Sequence, residues 1–199
     1  MRSRNFVIGL VSSVVVLAVA IGLLALVRSG DAVELPDRVD GLVATDVDGA
    51  FPAEAPPEVL ARQQAALDTN SEGWSEVFDG ADADTRTYVD PEAQDQQPTA
   101  VVAVAADAGP LIPEPGFVDP EQLGFALPQV ERITDGDVEC LLTRNQPPRA
   151  GTTYQPDQAA PDAHLCQRRG GDLTVRVRST SSDTDAVVDL VDAVWDELG

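Results

Sequence analysis

Three carboxylates fall within six residues in Asp79-Gly80-Ala81-Asp82-Ala83-Asp84. Oxygens at that density are what calcium collects, about six to eight at a time. The spacing is not that of an EF-hand loop, and Asp46-Val47-Asp48-Gly49 is a shorter stretch of the same kind without the later bidentate Glu. Asp79, Asp82 and Asp84 are therefore weighed as calcium ligands against solvated turns, which Asp and Gly favour for local reasons, and the turn is preferred. Arg168, Arg169, Arg176 and Arg178 form the second constellation. Guanidinium forks in such a patch hold carboxylate or phosphate, although acids such as Asp172 would neutralise them just as well, and that pairing is the preferred reading. Gly73-Trp74-Ser75-Glu76-Val77 matches the start of a serine nucleophile elbow but lacks its closing Gly. His164, the single imidazole, would have to be the base, and a lone His beside Cys166 reads more simply as a packed strand residue. Nothing selects two carboxylates for glycoside hydrolysis. No catalytic residue, cofactor or firm metal site is assigned.

The composition narrows the chemistry further. The chain has 199 residues with 34 acids against 13 bases, a formal net charge of -21. Every base is Arg and none is Lys, which removes Schiff-base chemistry. Nucleic acid is excluded as a partner, because affinity for phosphate backbones comes from Lys and Arg displacing counterions.

Compartment is written near the start. Phe6 to Val27 is a run of 22 residues without a charge. As a helix it would cover about 33 Å, against a hydrocarbon core of about 30 Å. Arg2 and Arg4 precede it, whereas Arg28 is soon followed by Asp31 and Glu34, a bias that leaves the N-terminus cytoplasmic. The expected organisation is a tail over 1–5, a membrane helix over 6–27 contacting the lipid bilayer, a linker over 28–36 and an acidic extracytoplasmic domain over 37–199. A cleaved secretory signal is the alternative, disfavoured because the apolar run exceeds the usual signal core. Either way the same domain is exported. Residues 29–199 carry all 34 acids and ten arginines, a net charge of -24, which repels anionic headgroups and keeps the exported part off its own membrane.

An oxidising compartment makes the two cysteines, Cys140 and Cys166, a disulfide. Closing that loop stabilises the fold by about 3 to 4 kcal/mol in the chain-entropy account. Two turn signals register the strands around them. Asp135-Gly136 sets Ile133 opposite Val138 and puts Val138, Cys140 and Leu142 on one face; Gly170-Gly171 sets Cys166 opposite Val175 and aligns it with Leu173 and Val177. Both sulfurs then point into the core, and the segment from Asn145 to Ala163 becomes a loop tied at its base.

The remaining elements follow from period and punctuation. Pro56-Pro57-Glu58 starts a helix to about Thr69, with a further turn around Trp74 to Phe78. Leu42 to Val47 and Thr85 to Val89 suit strands. Thr99 to Ala106 is apolar on both faces and belongs in mid-sheet. Asp119-Pro120-Glu121 caps a short helix through Phe125 that Pro128 ends. Ser182 or Asp183 caps a last helix with Val187, Val188, Leu190, Val191, Val194, Trp195 and Leu198 inward. The expected fold class is α+β: one N-terminal transmembrane helix, then a small antiparallel sheet of about six strands with about three packed helices.

The short Arg-bearing tail, the single apolar span, Leu35-Pro36 followed by Gly41-Leu42, the late Cys pair and the acidic helix ending Val194-Trp195-Asp196-Glu197-Leu198 together resemble the uncharacterised single-pass exported proteins of actinobacteria. The resemblance implies a location and an exported fold, and it carries over no catalytic residue. The expected function is a membrane-held, non-catalytic interaction module that binds an envelope protein or cell-wall component through its sheet or its Pro-rich loops. A small-ligand or divalent-cation sensor is the alternative, and an exported hydrolase stands third.

Overall fold

The computed structural model describes residues 32–51, 56–93, 97–113 and 118–199. Its strands are β1 (Arg38–Val39), β2 (Leu42–Ala44), β3 (Ala83–Val89), β4 (Thr99–Val104), β5 (Val130–Asp135), β6 (Val138–Thr143), β7 (Ala163–Gly170) and β8 (Leu173–Ser179). They form one sheet in the order β1-β2-β3-β4-β8-β7-β6-β5, antiparallel at each junction. Among the described residues two helices of more than one turn accompany it, α1 (Pro57–Val77) and α2 (Thr184–Leu198).

This corrects the expected fold class: among the described residues an eight-stranded sheet with two helices of more than one turn replaces the smaller sheet with about three. The helix expected after Asp119 is a single 3-10 turn, Pro120–Leu123. Asp119 does cap it, but Gly124 turns left-handed at φ 75° and the chain leaves to bridge Phe125 to Arg149. The membrane helix expected over Phe6 to Val27 lies outside the described residues, and among those residues no helix is long and apolar enough to cross a membrane.

Helix α2 forms as its sequence requires. Asp183 accepts hydrogen bonds from the backbone N–H groups of Asp185 and Ala186, and Val187, Val188, Leu190, Val191 and Val194 recur on one face and are buried. That face rests on Val101, Ala103, Val138, Cys140, Cys166, Val175 and Val177, the residues of β4, β6, β7 and β8 that share one side of the pleat. Burying each such side chain contributes about 1.5 to 3 kcal/mol. Strand β4 sits inside the sheet as its doubly apolar sequence predicts, with Val101 and Ala103 fully buried.

Helix α1 covers part of the opposite side, over β3 and β4. It runs unbroken through Gly73, where the sequence suggested an interruption.

Both hairpins keep the expected faces but shift in register. Ile133 pairs with Cys140 rather than Val138, and Cys166 pairs with Val177 rather than Val175. The two-residue loops are Gly136-Asp137 and Gly171-Asp172, each with its glycine at positive φ in the first loop position, 54° and 57°. Each turn therefore begins one residue later than a reading of Asp135-Gly136 or Gly170-Gly171 implies. Moving a turn by one residue moves every pairing by two, which preserves the faces because side chains alternate with period 2.

Cys140 and Cys166 are directly opposed on β6 and β7, with Cα atoms 4.0 Å apart, and form the disulfide.

Candidate functional site

The disulfide and the β6–β7 ladder fix the two ends of the connection between Thr143 and Ala163. Arg144, 8% exposed, anchors its interior. Its Nε donates to the Ala159 carbonyl at 2.7 Å, and its Nη1 donates to the Pro128 carbonyl and pairs with Glu131 at 2.9 Å. One buried guanidinium thus joins the far end of the loop to β5 and to the chain preceding it. The near end is held by the Asn145 N–H donating to Asp162 Oδ2 at 2.6 Å and by Asp162 N–H donating to the Thr143 carbonyl. A third side is closed where Ala126 N–H donates to the Pro148 carbonyl and Ala150 N–H to the Gly124 carbonyl.

The frame encloses an open cleft of about 740 Å³, within the size range of small-ligand sites, about 300–1,000 Å³. Asn145, Gln146, Arg149, Thr153, Tyr154 and Asp162 are among the polar residues that line it. Arg149 is exposed and has no ion pair among the described residues. Tyr154 is 37% exposed. None of these residues stood out individually in the sequence. A signal was there: Cys140 to Pro156 is a run of 17 residues without an acid, in a chain with 34 of them.

The residues singled out from sequence go elsewhere. Asp82 Oδ2 accepts the Val33 N–H at 2.6 Å and Asp84 Oδ2 accepts the Leu35 N–H at 2.7 Å. Arg86 donates to the Leu35 carbonyl at 2.9 Å and pairs with Asp37 and Asp46, and the Tyr88 hydroxyl donates to the Pro36 carbonyl at 2.6 Å. Asp82, just before β3, and residues 84, 86 and 88 along it alternate, so one face of the strand holds the backbone of Val33, Leu35 and Pro36 with side chains in place of a ladder. Leu35 is 1% exposed, and the compact unit begins at Val33, so residues 33–36 belong to the fold although they read as linker. Asp79 lies apart, in the left-handed turn after α1 at φ 55°. Two of the three calcium candidates are therefore structural acceptors. Among the described residues no group of three or more His, Cys, Asp and Glu could hold a metal ion. Burial works against the Arg86 charge, but its bond to Asp37 and the field of Asp46 outweigh that and raise its pKa; burial raises the Tyr88 phenol, with Arg86 opposing.

The four arginines are split between the two faces. Arg168 shares the α2 face, stacked 5.0 Å from the Trp195 ring and paired with Asp192 at 2.8 Å. Arg176 points to the α1 face, 5.3 Å from the Trp74 ring, where it donates to Gln167 Oε1 at 2.8 Å. Gln167 continues the network to the Gly109 carbonyl and to Glu139, which accepts the Leu111 N–H and pairs with Arg132. Burial lowers the Arg176 pKa and Glu139 counteracts it. Arg169 pairs with Asp107 at 3.1 Å, whose pKa is lowered by the Gly109 N–H and then by Arg169 itself. Arg178 is exposed on the α1 face. The acid pairing expected from sequence is realised for Arg168 and Arg169, and the four do not converge on one anion site.

Ser75 and His164 are also separated. Ser75 lies within α1 rather than on a strand-to-helix elbow. His164 is 1% exposed on the α2 face, its Nε2 2.9 Å from Thr184 Oγ1. Burial lowers its pKa, with Ser181 and Asp183 opposing. The sheet stands between the two residues.

The site and fold together describe one antiparallel sheet with a helix on each face and a disulfide-framed loop cleft at one end of the strand order. The chain matches no family model, no curated protein and no solved structure.

Proposed function

We propose that this chain is a non-catalytic interaction module displayed outside the cytoplasm, held at the membrane by the apolar segment Phe6 to Val27, and that it binds a cell-envelope component in the β6–β7 cleft. One observation carries the reading. The cleft is a formed concavity whose frame is fixed by a disulfide, a strand ladder and a buried arginine, while its lining side chains Asn145, Gln146 and Arg149 are exposed. A rigid frame with uncommitted polar groups lowers the ordering cost of binding. The net charge of -24 in the exported part and the disulfide both suit an oxidising extracytoplasmic setting.

The test uses the full-length protein in its own cells. A photo-crosslinking residue at Thr153 is expected to form a discrete adduct with an envelope component, and the same residue at Glu76 on α1 is not. Protease added to intact cells is expected to degrade the domain. No adduct at Thr153, or a domain protected until the cells are lysed, would overturn the proposal.

A further inference from the structure

The geometry points to an acidic saccharide, a polyhydroxylated chain bearing a carboxylate, as the ligand of the β6–β7 cleft. This rests on the reading of the cleft as the binding site and adds the ligand's chemistry. The lining contains no large aliphatic side chain, which disfavours an apolar ligand. The amides of Asn145 and Gln146 each combine a donor with an acceptor, and Thr153 and Tyr154 add hydroxyls. That mixture matches sugar hydroxyls, which donate and accept in the same way. Asp162 uses Oδ2 to accept the Asn145 N–H and retains Oδ1 as an acceptor. The ring of the exposed Tyr154 offers a flat apolar surface on which the C–H face of a pyranose can lie.

Charge decides between neutral and acidic sugars. Most of the exported surface would repel an anion, but the stretch from Cys140 to Pro156, which supplies every lining residue except Ala160 and Asp162, carries no acid. Within it Arg149 is exposed and unpaired among the described residues, and a guanidinium fork of this kind binds a carboxylate in bidentate fashion. A phosphate dianion is disfavoured relative to a carboxylate: one guanidinium and the Asp162 carboxylate line the cleft, so its second negative charge would have no partner there. An acidic peptide would satisfy Arg149 but has no need of the aromatic shelf.

The experiment titrates full-length protein, reconstituted in nanodiscs, with trigalacturonic acid, its uncharged methyl ester and a triaspartate peptide. The acid trisaccharide is expected to bind about tenfold more tightly than the ester, the increment of one charge-assisted contact. Arg149→Gln should equalise the two sugars, and Tyr154→Ala should weaken both; both side chains are exposed, so melting temperatures should be unchanged. Absence of saccharide binding, binding indifferent to both substitutions, or preference for the peptide each overturns the ligand class. If the Thr153 adduct persists in cells under any of those results, the cleft survives as the binding site and only the saccharide assignment fails; if the adduct is also missing, both fail.

Discussion

Helix α2 has 15 residues and buries five aliphatic side chains against the sheet, whereas α1 has 21 residues and buries only Leu67. The shorter helix is the better held. Around Leu67 the inward stripe of α1 includes Gln63, Ser71 and Trp74, and the strand beneath offers Thr85, whose buried hydroxyl has no hydrogen-bond partner among the described residues. One contact type recurs on both faces: Trp195 covers Arg168 and Trp74 covers Arg176. On the α2 side this adds to five buried aliphatic side chains; on the α1 side it adds to one, Leu67. Helix length therefore says little about attachment, and apolar burial says most.

The largest expected effect tests the α2 side. Leu190→Ala should lower global stability by about 2 to 5 kcal/mol, read from the urea midpoint with the slope unchanged; a loss no greater than that of Leu67→Ala would erase the contrast between the helices. Replacing both Cys140 and Cys166 by Ala should remove about 2 to 4 kcal/mol and leave the native circular dichroism in place. Hydrogen exchange should then show α1 amides opening locally, well below the free energy of global unfolding, while amides of α2 exchange only with the whole domain. Equal protection in both helices would refute the idea of a lightly docked α1. Trp74→Ala should cost about 0.5 to 1 kcal/mol and act on α1 exchange more than on overall melting.

The smallest effect is a pH dependence confined to the α2 side. Burial holds the His164 pKa below its ordinary value in the folded chain, so the unfolded chain binds the extra proton first. The stability linked to this residue is therefore complete above about pH 6.5 and is lost as pH falls below it. The proton would also arrive at the N-terminal end of α2, where a positive charge is disfavoured. A melting-temperature profile between pH 7 and 5 should flatten in His164→Gln, and an unchanged slope would locate the dependence elsewhere.

Amino-acid order alone determined the features that depend on neighbours a few residues apart. A cap at Ser182 or Asp183, the apolar stripe of α2, the mid-sheet character of Thr99 to Ala106 and the inward direction of both cysteines all follow from period and capping; in the fold Asp183 is the cap and the strand ends at Val104. The hairpin faces survived an error of register because alternation has period 2. What only tertiary structure decided was which group lies across from which. Asp82 and Asp84 look like metal ligands until Val33 and Leu35, 49 residues away in each case, bring backbone N–H groups to them. Arg168 and Arg176 look like one patch until the sheet puts them on opposite sides. The cleft exists only because Arg144, Asp162 and the Phe125 bridge close a polar loop on three sides. Local propensity acts through a few torsions and can be read along the chain, whereas these contacts depend on long-range closure of the sheet, which no short window of residues encodes.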